Sequence, residues 1–195
     1  MRLLIALRMT IVLTVLTGIA YPLAITGLGA LIFPAQAHGS LIERHGAIVG
    51  SALIGQNFSA SRYFHGRPSA AGAAGYDATA SGGSNLGPTN KALIAAVSAR
   101  VRKLTEKNPG TTTVPIDLVT TSGSGLDPEV SPAAADLQIA RVARARGLRE
   151  DQVRDLVRAN TRPRLAGLFG EPGVNVLLVN LALDRVSANS RPAGP

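Results

Sequence analysis

Reactive chemistry in this chain of 195 residues would have to be built from three histidines, twelve carboxylates and the hydroxyls, because it has no cysteine. That excludes disulfides, thiolate metal sites, iron–sulfur clusters and cysteine nucleophiles, and leaves oxidising and reducing compartments equally open. His38, His45 and His65 fall in neither an HxxxH nor an HExxH spacing, so no histidine-built metal site is expected. Asp117, Asp127 and Asp136 are candidate paired acids, but Asp127 precedes Pro128 in a turn pattern and Asp136 falls on a helix surface. No GxxxxGK(S/T) loop is present, no GxGxxG joins a strand to a helix, and Gly123-Ser124-Gly125 lacks the spacing of a GxSxG nucleophile elbow. Two glycine–serine clusters, SGGSN at 81–85 and SGSG at 122–125, could present backbone N–H groups as anion nests or simply make tight turns. Neither carries the lysine of a phosphate loop, and together these residues predict no self-contained active site.

The elements that would position such groups begin with an anchor. Between Arg8 and Glu43 the chain carries no charge, and residues 9–33 (MTIVLTVLTGIAYPLAITGLGALIF) are apolar throughout. As a helix they would extend roughly 37 Å, enough to cross a hydrocarbon core of about 30 Å. Ala35-Gln36-Ala37 resembles a signal-peptidase site, but an apolar core of a signal peptide runs only about 7–15 residues, so a transmembrane helix is expected. Arg2 and Arg8 precede it and no basic residue follows until Arg44, which predicts residues 1–8 in the cytoplasm and 34–195 beyond the membrane, in a bacterium the periplasm. Thr10, Thr14, Thr17 and Tyr21 share one helix face, and Gly18, Pro22, Ile25 and Gly29 the next. Small and hydroxyl side chains allow close helix packing in lipid, and Pro22 is expected to kink the span.

Residues 34–195 carry 18 of the 20 basic residues and all 12 acidic ones, a net of +6. The densest basic run, Arg141 to Arg164, is interleaved with Glu150, Asp151 and Asp155 and reads as a solvated helical face with pairs such as Glu150 with Arg154. With only 4% aromatic residues for stacking, nucleic acid is not an expected partner. Residues 35–90 are dominated by Gly, Ser and Ala, with 68–87 lacking any helical period, as in a functional or mobile loop. A helix is predicted over 89–107 with Thr89 as its cap and Leu93, Val97, Val101 and Leu104 on one face. Residues 114–120 (VPIDLVT) read as a strand. Ser131-Pro132 opens a helix that Gly147 closes, a third covers 150–159, and 174–183 (VNVLLVNLAL) reads as a buried strand with a short helix as the alternative. The order of elements predicts an α+β fold: one transmembrane helix followed by a small mixed domain.

Five segments carry a family resemblance: YFHGRPS at 63–69, ASGGSNLGPTN at 80–90, VTTSGSGLDP at 119–128 with Ser131-Pro132, Ala134 and Ala135, VNVL at 174–177 and NLALD at 180–184. In this order, and with one N-terminal span, the chain resembles the KdpC family, the C subunit of bacterial Kdp potassium-transporting P-type ATPases. The resemblance implies as partners a channel-like A subunit that selects potassium, a B subunit that hydrolyses ATP through an aspartyl phosphate, and a small F subunit. It implies placement in the bacterial inner membrane among lipid. The DKTGT motif of P-type pumps is absent here, as a non-catalytic subunit requires. KdpC proteins have been regarded as catalytic chaperones that raise ATP affinity through a glutamine in a segment like an ABC signature. In this chain the corresponding nucleotide contact would be Gln138, in DLQIAR at 136–141, with ATP shared with the B subunit. The orientation derived above puts Gln138 on the side without ATP, where a helix-surface or helix-packing polar residue is the simpler reading. Two mechanisms follow, nucleotide-affinity chaperone or structural cap over the potassium entrance, and a membrane-anchored binding module for an anionic ligand is the alternative of a different class.

Overall fold

The computed structural model describes residues 1–189, with side chains through Val186. It divides after Ser51 into two compact units. The first begins with α1 (Arg2–Val15), a π turn (Leu16–Ala20) and α2 (Tyr21–Ile32), together one apolar helix of 31 residues long enough to span a membrane. None of its residues is buried by the rest of the chain. The widened turn ends just before Pro22, which has no N–H to offer the preceding turn, and the Thr17 hydroxyl donates back to Leu13 O at 2.7 Å. After a single turn, α3 (Pro34–Ala37), comes the antiparallel hairpin β1 (Leu41–Arg44) and β2 (Ala47–Ser51). Its two-residue turn is His45-Gly46, with φ of +53° and +77°. A right-handed strand pair closes best through such a doubly left-handed turn, which explains why glycine stands there. The stretch 35–90, read by its Gly, Ser and Ala content, therefore includes a hairpin that this reading did not place.

In the second unit, residues 52–90 are irregular apart from a 3₁₀ turn (Ala78–Ala80). Helix α4 (Lys91–Lys107) then starts one residue later than expected, with Asn90 rather than Thr89 as its cap: Asn90 Oδ1 accepts from the Ala92 N–H at 2.8 Å. Its predicted apolar stripe is half-buried. Residues 114–120 are not a strand. Pro115 removes a ladder donor, Ile116–Leu118 close a 3₁₀ turn, the Thr120 hydroxyl bonds back to Ile116 O, and Leu118 and Val119, adjacent in sequence, are both buried. The short strand β3 (Glu129–Val130) leads into α5 (Pro132–Arg146), capped by Ser131 and ended by Gly147 at φ +66°, then α6 (Glu150–Ala159) and β4 (Thr161–Arg162). The last elements are β5 (Gly173–Asn175) and α7 (Val176–Asn189). The sheet is antiparallel in the order β3-β5-β4, with Val174 opposite both Val130 and Thr161. Most of 174–183 is thus helix. Asn175 Oδ1 accepts from the Leu178 N–H at 3.0 Å as a cap, and the buried Val176, Val179, Asn180 and Leu183 follow a period of 3.6. The core between α5, α6, α7 and this small sheet is aliphatic, with Phe64 its one fully buried aromatic ring. The fold is α+β.

Candidate functional site

Residues 61–67 have no regular secondary structure, so their peptide groups must find partners among side chains once buried. Helices α5 and α7 supply them as two amide clamps on consecutive residues. Asn180 of α7 accepts the Phe64 N–H at 2.8 Å and donates to Phe64 O at 3.0 Å. Gln138 of α5 accepts the His65 N–H at 2.8 Å and donates to His65 O at 3.1 Å. Gln138 Nε2 also donates to Ala134 O at 3.1 Å, and its Oε1 takes a bond from Arg141 at 2.7 Å. Every polar position of the Gln138 amide is therefore filled, and the residue is 2% exposed. Arginines extend the strap. Arg141 donates to the carbonyls of Ser61 and Tyr63, and Arg146 to Arg62 O at 2.6 Å. The Arg146 side chain, 1% exposed, pairs with Asp184 at 2.9 Å and lies 5.0 Å from the centroid of the Tyr63 ring, whose hydroxyl donates to the other Asp184 oxygen at 3.2 Å. Two arginines of the run expected to form a solvated face thus point inward; its more exposed members pair instead, Arg149 with Asp151, Arg158 with Asp155, Arg162 with Glu129 and Arg164 with Glu171.

The three candidate acids do not pair with one another. Asp117 accepts the Ser131 N–H and hydroxyl at 2.6 and 3.2 Å, while Asp127 pairs with Arg67 at 3.0 Å and caps the Glu129 N–H. Both line an open cleft of about 530 Å³, together with Glu129 and Arg162, which form a two-pronged ion pair. Asp136 is exposed on α5. Tyr76 donates to Arg67 O at 2.6 Å, and burial, with the Asp127 charge, pushes its phenol up to about 12. The glycine–serine clusters meet each other: the Gly82 N–H donates to Ser124 O at 2.8 Å and the Ser81 hydroxyl to the same oxygen at 3.0 Å. A Cβ on Gly125, at φ +67°, would stand 2.6 Å from Gly82 O and 2.8 Å from Ala71 N. These glycines let two loops touch backbone to backbone, and segment 68–87 is held by the same contacts and by Ser69, whose hydroxyl donates to Gly125 O at 2.6 Å.

His38 and His45 serve turns, the first donating from Nδ1 to Pro34 O, the second in the hairpin. His65 lines a cleft of about 290 Å³ between α4 and residues 57–59, alongside Phe58, Arg100, Lys103 and Lys107. Burial lowers its pKa to about 4, Arg141 and the two lysines adding to the effect and the bond to Ala60 O opposing it. Among the described residues no group of three or more histidines and carboxylates is placed to hold a metal. Sequence reasoning singled out Gln138 as a contact but met Asn180 and Asp184 only within a family motif and Arg146 only within the basic run; the helical spacing of Asn180 and Asp184 on α7 was the available signal, masked by preferring a strand there. What the arrangement does is fix one loop against two helices.

The family described as KdpC, K+-transporting ATPase c chain, matches residues 3–185. Similar proteins, each named as a potassium-transporting ATPase KdpC subunit, occur in Rhodopseudomonas palustris (59% identical over 190 residues, 92% of this chain and 94% of the relative) and Gemmatimonas aurantiaca (60% over 185 residues, 95% and 93%). A third, from Bradyrhizobium diazoefficiens, is 55% identical over 194 residues and covers 94% of this chain and 96% of its own. The match runs through the anchor, both amide clamps and the Arg146 strap, and the chain belongs to the KdpC family, the c chain of potassium-transporting ATPases.

Proposed function

We propose that the chain works as a non-catalytic accessory subunit of an ATP-driven potassium uptake complex of the bacterial inner membrane, its N-terminus cytoplasmic and its domain on the outer face. One observation carries this: Asp117, Asp127 and Gln138, among the groups that could do chemistry, are engaged in backbone bonds and an ion pair, while no residue of the spanning helix, its small-residue stripes included, is buried among the described residues. In the finer form of the reading, the span packs against a channel-like A subunit and the domain sits over its outer mouth. ATP is then hydrolysed by the B subunit, with a small F subunit completing the assembly. Arg2 and Arg8 support the orientation. Protease added outside sealed right-side-out vesicles should degrade the domain; complete protection would refute the orientation. Affinity purification of the tagged chain from potassium-starved cells in mild detergent should recover a channel-like protein and a P-type ATPase.

The nucleotide-affinity role belongs to the same proposal in its alternative form. For ATP to reach the Gln138 amide it would have to displace the His65 peptide, so an effect of Gln138 on nucleotide affinity runs through the position of residue 65. A second reading, an anchored module for an anionic ligand, is favoured by the cleft beside α4. There Arg100, Lys103 and Lys107 share one flank of the helix and face Asn57, Phe58 and Ser59. Isolation of the chain as a monomer carrying a small anion would favour this reading over the subunit reading.

A further inference from the structure

Between β4 and β5 the chain leaves the sheet and returns through a short loop whose tip is apolar and exposed: Leu165 at 74%, Leu168 at 75% and Phe169 at 68%. Isolated exposed apolar residues are ordinary on a protein surface, but three large ones within five residues on a projecting loop are not. The loop is also built. Leu165 and Phe169 exchange backbone bonds at 2.8 and 3.0 Å, and the N–H groups of Gly167 and Leu168 donate within the loop at 3.1 Å each. Arg164 closes its base by a two-pronged bond to Glu171 at 3.0 and 2.8 Å. Ala166 takes φ +51°, a conformation that costs a residue with a Cβ, to keep the turn tight. Such a tip loses little further entropy when it is covered.

Beside the tip runs a groove of about 770 Å³ walled by Val157, Pro163 and Pro172, with Arg154, Arg158 and Arg164 along it against a single carboxylate, Asp136. Arg154 makes no ion pair with a carboxylate among the described residues, and the pairing of Arg158 with Asp155 is long, at 3.7 Å, and exposed. We propose that this tip and groove form the docking surface for another protein subunit of the complex, one presenting an apolar socket for Leu165, Leu168 and Phe169 and a carboxylate that reaches Arg154. Charge argues for a protein rather than a lipid surface. The arginine at the loop base is already bound to a carboxylate, and Glu171, 80% exposed in its side chain, would be pressed against lipid phosphates if the tip entered a membrane. A knob beside a groove also matches a surface with relief of its own. The inference rests on the subunit reading above.

The test uses the full chain co-expressed with its neighbouring subunits. The double variant Leu168→Ser, Phe169→Ser should keep the thermal midpoint of the wild type, since neither side chain is in the core, and lose roughly 30-fold or more in recovery of partner subunits. Arg154→Glu, which leaves the tip intact, should weaken recovery about tenfold or more, and Ile116→Ser, equally exposed elsewhere on the domain, should not. Because the chain has no cysteine, Leu168→Cys offers a single attachment point for an environment-sensitive nitrobenzoxadiazole dye. Its emission should shift to the blue only in the assembled complex. Undiminished recovery with both the tip variant and Arg154→Glu overturns the proposal, as does a blue shift of the chain alone in phosphatidylethanolamine–phosphatidylglycerol vesicles, which would assign the tip to lipid. If the wild-type chain recovers no partner, the subunit reading fails with it, a result distinct from recovery that ignores the tip.

Discussion

Replacing Gln138 by methionine keeps the volume of the side chain and removes only its hydrogen bonds, which makes it the cleanest probe of the clamp on residue 65. The substitution strands the N–H and C=O of His65, and it takes one acceptor from Arg141, which keeps its bonds to Ser61 and Tyr63. A buried backbone group left without a partner costs about 1–3 kcal/mol, so two such groups, one of them at the edge of a cleft, give about 3 kcal/mol. In a domain of this size that lowers the thermal midpoint by roughly 6–12 °C. Gln138→Ala adds a cavity and should fall further; Gln138→Glu should lie between, because it keeps the acceptor toward His65 and Arg141 but turns an oxygen toward two carbonyls. The assay is thermal unfolding of the full chain in mild detergent, paired with ATP titration of the assembled ATPase. A direct nucleotide contact would raise KM for ATP and leave the midpoint alone. A midpoint within about 2 °C of wild type for Gln138→Met would therefore refute the clamp argument, whatever happened to KM.

Three further outcomes follow from the geometry. His65 has a folded pKa near 4 against 6.5 unfolded, so its contribution to stability is complete above 6.5 and is lost as the pH falls from there toward 4. The midpoint of the wild type should decline over that window more steeply than that of His65→Gln; equal slopes would show that the imidazole is not responsible. Gly125→Ala should cost at least about 2 kcal/mol, because the new Cβ meets two backbone atoms at a positive φ, whereas Gly123→Ala, with open space around it, should stay within about 0.5 kcal/mol by denaturant titration. Ala166→Gly relieves a left-handed alanine worth about 1–2 kcal/mol at an entropic cost of about 0.5–1, and should raise stability by roughly 0.5–1 kcal/mol; a loss would mean that the tip does not hold its turn.

The helices and the anchor could be read from the chain because their signals are local. Ser131, Pro132 and Gly147 cap α5 as their residue types dictate, and α6 covers the expected 150–159. The errors arose where a local pattern met a longer-range demand. Residues 114–120 have β-branched side chains but turn at Pro115 because Asp117 is drawn to the start of α5. In 174–183 two residues, Val174 and Asn175, do complete a sheet, yet Asn175 turns the chain into a helix, and apolar residues on nearly every position hide the change of period. The clamp itself has no local signature at all. Phe64 and Asn180 are 116 residues apart, and neither residue type announces the other. Gln138 was noticed only through a family resemblance; that it packs by clamping the His65 peptide emerged from the carbonyl and N–H it faces.

That polar groups hold residues 61–67 in place also bears on what the subunit is for. Apolar packing tolerates sliding, since one aliphatic contact replaces another at little cost, but two amides that each accept and donate to a single residue permit one register only. Displacing the loop by one position would break four bonds and pull Arg141 and Arg146 off three carbonyls at once. An enzyme needs such precision at reacting atoms; here the bonds are made to peptide groups, and the precision falls on the shape of the domain. A subunit that acts by presenting a fixed surface to its partners requires that, and the same economy of motion recurs in the loop of residues 164–171, where an ion pair and four backbone bonds fix an apolar tip. Rigidity built from buried polar bonds is costly unless something selects for it, so the surface these bonds hold still is where contact with the other subunits should be sought.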